Sequence, residues 1–237
     1  MEPSGRQAFP STHLSLVELA ATPGAPGWEA AWERFFRGYW PPLYGYLRRT
    51  GSTHADALDL LQDCFLLGAS GALLARYDAS RGRFRTYLLT CLTNLRRKDR
   101  RRERARPDGR PDGRAPEWLA DAPPEPVAGD PEERFELEWN RCVQERAIEQ
   151  VRERLRREPD ELALRVLDAW VLRPGRPPAA ELAAELGLTP NALYTRATRL
   201  RRDLVTEVER CLRQLASAPQ ELAAERDAVL RQLRGER

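Results

Sequence analysis

The chain has 237 residues, room for two small domains or one large one. Its 39 basic and 36 acidic residues give a net charge of +3, which excludes a chain that is acidic or basic throughout. No apolar run approaches the roughly 18–20 residues of a spanning helix, and MEPSGRQAFP at the start has no basic stretch leading into an apolar one, so a cytoplasmic protein is expected and no membrane partner.

Helical apolar spacing first appears over residues 14–20, 28–38 and 43–49. The next helix is expected over residues 56–69, started by Gly51-Ser52-Thr53 with Thr53 as N-cap and Asp56 in the first turn. Ala57, Leu58, Leu61, Cys64, Phe65 and Gly68 form its apolar face, and Asp56, Asp59, Gln62 and Asp63 fall on the other side as an acidic stripe. Like charges at i, i+4 cost a few tenths of a kcal/mol each, so Asp59 and Asp63 are not there for helix stability. The stripe is either a solvated polar face or a docking face for a basic partner helix.

Residues 77–83 read as a loop, and 84–105 as a helix buried through Phe84, Leu88, Cys91, Leu92 and Leu95. Its exposed sides are expected to carry Arg85, Thr86, Thr90, Thr93, Asn94, Arg97, Lys98, Arg101 and Arg104. Residues 81–106 hold eleven basic and two acidic side chains, a net of +9, more than a helix C-terminus needs for its dipole. Arginines interleaved with hydroxyls and amides, with Tyr77 and Tyr87 near the helix start, suit a nucleic-acid surface on which phosphates are neutralised and an unstacked base is held.

The composition then inverts. Residues 107–133 carry two basic and eight acidic side chains, a net of −6, with seven prolines. Such a stretch sustains neither helix nor strand and reads as an extended, solvated linker.

Beyond it, helices are expected over 135–157, 161–172, 178–186, 191–212 and 220–233. Gly187 closes the third as a C′ residue, and Thr189 with Pro190 opens the fourth as N-cap and N1. Two helices joined through so short a turn make a helix-turn-helix. Leu193, Ala197, Leu200 and Leu204 cluster toward the core. Asn191, Thr195, Thr198, Arg199 and Arg202 point away, flanked by Tyr194 and Arg196, and can read base edges and phosphates in a major groove. No alternating β-branched run argues for a sheet, so the expected fold is all-α: two small helical domains on a flexible linker.

Together these segments resemble a bacterial RNA polymerase sigma factor of the sigma-70 family, extracytoplasmic-function (group IV) type. The resemblance covers about residues 28–105 and 135–212. Residues 56–65, Asp-Ala-Leu-Asp-Leu-Leu-Gln-Asp-Cys-Phe, are similar to the helix of region 2 that docks on core polymerase, which implies core contacts for Asp56, Asp59, Gln62 and Asp63. Residues 77–85 and onward are similar to the part that recognises and melts the −10 element, implying DNA roles for Tyr77, Asp78, Ser80, Arg81, Arg85, Tyr87, Asn94, Arg97 and Arg101. Residues 189–204 are similar to the −35-reading helix of region 4, with Asn191, Tyr194, Thr195, Arg196, Thr198, Arg199 and Arg202 as its DNA contacts.

Tyr87 stands where the family usually has Trp, and Ala192 where it usually has Thr or Ser. The implied layout is a leader over 1–27, region 2 over 28–106, a linker over 107–133 that would thread toward the catalytic cleft, region 4 over 134–214 and a helical tail over 215–237. The implied partners are core RNA polymerase, promoter DNA and, as in many relatives, an anti-sigma factor, with a monomer when free and no catalysis of its own.

Two other functional classes fit the sequence less well. A free-standing helix-turn-helix regulator would need to dimerise, for which the tail helix is available, but leaves the acidic stripe and the +9 segment without a purpose. An enzyme acting on nucleic acid finds little support. Cys64, Cys91, Cys142 and Cys211 are widely spaced, His13 and His54 are isolated, and no phosphate-cradling glycine loop appears, so neither metal nor cofactor is expected.

Overall fold

The computed structural model describes residues 19–71, 73–78, 81–105, 130–157, 160–173, 175–215 and 222–234. Every regular element among them is helical: α1 (Trp28–Arg49), α2 (His54–Ala69), a 3-10 turn (Leu74–Arg76), α3 (Phe84–Ala105), α4 (Pro131–Arg157), α5 (Glu161–Val166) running into a π turn (Leu167–Val171), α6 (Ala179–Glu185), α7 (Pro190–Gln214) and α8 (Leu222–Leu233). The expected 14–18 stretch and most of the linker, 107–129, lie outside the described residues. The chain divides into two compact units, Met1–Trp139 and Asn140–Arg237.

In the first unit α1 joins the expected segments 28–38 and 43–49 into one helix that passes through Pro41 and Pro42. An interior proline costs about 3 kcal/mol. Here Ala31, Phe35, Gly38, Tyr39, Pro42, Leu43, Tyr46 and Leu47 form one unbroken buried stripe, and that burial outweighs the local penalty. The helix ends in a Schellman motif: Gly51 at φ +88° lets the Ser52 N–H reach the Leu47 carbonyl (3.0 Å) and its own N–H reach that of Arg48 (3.3 Å). Thr53 then caps α2, accepting from the Asp56 amide at 3.1 Å. In α2 the buried set includes Leu60 rather than Leu58, which is only half-buried. Gly68 is required by close approach, since a Cβ there would meet the Trp32 ring at 2.6 Å.

The core of this unit is aromatic. Phe35 packs against Phe65 (5.8 Å between ring centres) and Phe84 (5.5 Å), and Tyr39 against Phe84 (5.4 Å). The first turns of α4 add to it: Phe135 and Trp139 are each 1% exposed, Trp139 lying 5.3 Å from Tyr39. Burying a large apolar side chain contributes about 1.5–3 kcal/mol. The division of the chain therefore falls inside α4, after Trp139, whereas the sequence reading places it in the linker over 107–133.

The second unit is built on Val151, Val166, Leu167, Trp170, Leu182, Leu193, Ala197, Leu200 and Leu204. All four residues expected on the inner side of α7 are buried. The turn before that helix is a Schellman motif on Gly187 (φ +66°), with Leu188 N–H to Ala183 O at 2.7 Å and Gly187 N–H to Ala184 O at 3.2 Å. Thr189 accepts from the Ala192 amide at 3.2 Å, and Pro190 occupies the first turn. The tail helix α8 packs within this unit, with Val229 fully buried and Arg226 paired to Glu209 at 3.0 Å.

Candidate nucleic-acid interface

Asp56, Asp59, Gln62 and Asp63 are all exposed along α2. Leu66, 68% exposed, follows Asp59, Gln62 and Asp63 at i+7, i+4 and i+3, so the same face ends in an uncovered apolar side chain. The sequence reading overlooked Leu66, although its spacing from Asp59 carries the signal. Inside the helix Cys64 is buried, and desolvation first, then Cys91 and Asp63, push its thiol up to about 12, so it is inert rather than reactive.

On α3 the basic residues separate into two kinds. Arg85, expected at the surface, is 5% exposed: its Nε and Nη2 donate to the Glu136 carboxylate at 2.7 Å each, and its guanidinium lies 5.2 Å from the centre of the Trp139 ring. The correction has a simple cause: α4 brings a carboxylate and an indole face to a side of α3 that looks empty when only one helix is considered. Arg96 is likewise structural, donating to Thr50 Oγ1 (3.0 Å) and the Thr50 carbonyl (2.9 Å), which satisfies the end of α1. Arg81, Asn94, Arg97 and Lys98 remain exposed, as does Asp78. Ser80 lies outside the described residues, and Arg101 falls within the range of α3 but its side chain is not among those described.

The two tyrosines are anchored. Tyr77 OH donates to the Gly82 carbonyl at 3.1 Å and closes the loop before α3; Tyr87 OH donates to the Leu73 carbonyl at 2.7 Å. Desolvation, with smaller effects from Cys91, pushes Tyr87 up to about 12, so it stays a neutral donor. Tyr87 also lines a cavity of about 340 Å³ with Leu67, Leu73, Arg76, Asn94 and Lys98. It offers an aromatic wall, an amide and two cations, the chemistry that holds an extruded base and its phosphate. Arg76 joins from the 3-10 turn and was not singled out from the sequence, because turn arginines carry no periodic signal.

On α7, Asn191, Tyr194, Thr195, Thr198, Arg199 and Arg202 are exposed, Tyr194 at 52% with its ring 6.0 Å from Trp170. Thr195 Oγ1 donates back to the Asn191 carbonyl at 2.9 Å. Arg196 is half-buried and donates to Asp160 at 3.3 Å; the other oxygen of that carboxylate caps α5 through the Ala163 amide. Part of its donor set thus serves the fold. Among the described residues no group of three or more His, Cys, Asp or Glu could hold a metal ion, and no helix is long and apolar enough to cross a membrane.

The family model described as Sigma-70 region 2 matches residues 35–106, so a Sigma-70 region 2 domain lies there, spanning most of α1 with all of α2 and α3. Such a domain supports a role in promoter recognition and RNA polymerase binding. No curated protein and no solved structure matches the chain.

Proposed function

We propose that the protein is a promoter-specificity subunit of bacterial RNA polymerase, of the two-domain extracytoplasmic-function type, and catalyses nothing itself. The observation that carries this reading is the Sigma-70 region 2 match, which encloses both the acidic stripe of α2 and the basic face of α3. In this reading Asp56, Asp59, Gln62 and Asp63, extended by Leu66, grip a basic helix of core polymerase. The cavity beside Tyr87 and Asn94 receives a base from the −10 strand. Extruding that base costs a few kcal/mol, which one aromatic contact of about 1–3 kcal/mol and phosphate neutralisation by Arg97 and Lys98 can offset. Asn191, Tyr194, Arg199 and Arg202 read the −35 duplex, Arg196 contributing with the donors that Asp160 leaves available. Of the residues expected as region 4, those in the second unit, 140–214, act as that domain, and the acidic linker runs toward the catalytic cleft. An anti-sigma factor would cover these same faces, and the free protein is a monomer.

The experiment reverses the stripe. Asp59→Arg with Asp63→Arg abolishes capture of core polymerase while the helical circular dichroism and melting curve stay those of the parent. Undiminished capture by that variant would remove the docking face from the account. A dimeric regulator acting without polymerase is separated by solution mass and by whether specific DNA binding needs core enzyme.

A further inference from the structure

We infer that the second unit carries a binding site for a small organic anion, a phosphate or carboxylate attached to an apolar body of one or two rings, between the π turn, α7 and the tail helix. The proposal does not rest on the sigma-factor reading.

A cavity of about 440 Å³ opens there, within the range of small-molecule sites. Trp170, Leu204, Leu230 and Leu233 make its apolar floor. Arg173, Arg176, Arg201 and Arg234 surround that floor, and no acidic residue lines it among the described residues. Elsewhere in the unit Arg152, Arg154, Arg165 and Arg213 each pair with a carboxylate at 2.7 Å. Arg173, Arg176 and Arg201 line the cavity with no described carboxylate among its walls. Burial, with Arg176 and Arg234 nearby, pulls the Arg201 pKa down. An anion would relieve that repulsion and replace lost water with charge-assisted hydrogen bonds.

The backbone is arranged for this. The Leu172 amide bonds the Leu167 carbonyl at 2.9 Å, an i→i−5 bond that widens the helix at Trp170, and such π turns concentrate at functional sites. Gly175, at φ +69°, supports the turn that follows, and Arg176 settles 5.3 Å from the centre of the Trp170 ring. The guanidinium is thereby held by an aromatic face while its edge donors remain available. A bare inorganic anion would leave the leucine floor unused, and a purely apolar ligand would leave Arg173, Arg176 and Arg201 uncompensated. The occupant the walls fit has both parts. Trp170 also touches Tyr194, so occupancy has a direct path to the face expected to read DNA.

The full chain is titrated calorimetrically with 1-naphthyl phosphate, with 1-naphthalenemethanol and inorganic phosphate as half-ligands, and with Arg176→Ala and Arg201→Ala variants whose melting curves are checked against the parent. Losing a charge-assisted contact predicts roughly ten-fold weaker binding or more for each variant and for each half-ligand; Arg201→Lys, which keeps the charge, should fall between parent and Ala. Absence of saturable binding, equal affinity for the neutral alcohol, or unchanged affinity in both Ala variants overturns the site. So does a result in which the two substitutions weaken only binding to duplex DNA, since the arginines would then serve the backbone of a nucleic acid.

Discussion

The helices α3 and α7 are both rich in arginine, both expose hydroxyl and amide side chains, and both were expected to lie on DNA, yet the fold treats them differently. On α3, Arg85 is buried in a two-point bond to Glu136 and Arg96 is committed to the end of α1. On α7, Arg199 and Arg202 stand in solvent and Arg196 is only partly engaged. Charge density along a sequence therefore overstates an interface when a neighbouring element supplies the counter-charge. The helix that overstates it is the one inside the Sigma-70 region 2 match, so family likeness does not say which arginines are free to bind.

The sharpest way to break this contrast is to treat the arginines as interchangeable. Arg85→Ala leaves Glu136 without its partner and uncovers the Trp139 ring, and should cost about 2–3 kcal/mol in urea denaturation, the partial exposure of Glu136 keeping it below the cost of a fully buried pair. A loss under about 0.5 kcal/mol would mean that Arg85 is free after all. Thr189→Ala removes the cap of α7 and should cost about 1 kcal/mol, lowering the melting temperature without altering contacts on α3. Smallest in stability are Arg97→Ala and Arg199→Ala, expected within about 0.5 kcal/mol of the parent. Each should still weaken binding to a promoter duplex and reduce its dependence on salt by about one unit of slope. Unchanged slopes would remove these two residues from the interface.

Much of this was legible beforehand because it is local. Gly187, Thr189 and Pro190 announced the turn and start of α7, and Thr53 with Asp56 announced α2; each acts through hydrogen bonds within a few residues. The aspartate stripe was legible for the same reason. What the sequence hid depends on partners distant along the chain. Residues 28–38 and 43–49 read as separate segments until the buried stripe that joins them, Pro42 included, is seen. Arg85 looks exposed until Glu136, fifty-one residues on, meets it. The π turn at Leu167–Val171 leaves the apolar spacing almost unchanged, so periodicity had no means of finding it.

Whether this chain gives a polymerase its start sites is decided by run-off transcription with purified core RNA polymerase on a genomic promoter library. Transcripts should arise from defined positions sharing upstream elements near −35 and −10, and be lost with Asp59→Arg/Asp63→Arg. Equal, unspecific transcription with and without the protein, from a core enzyme shown to be active with a known sigma factor, would overturn the proposal.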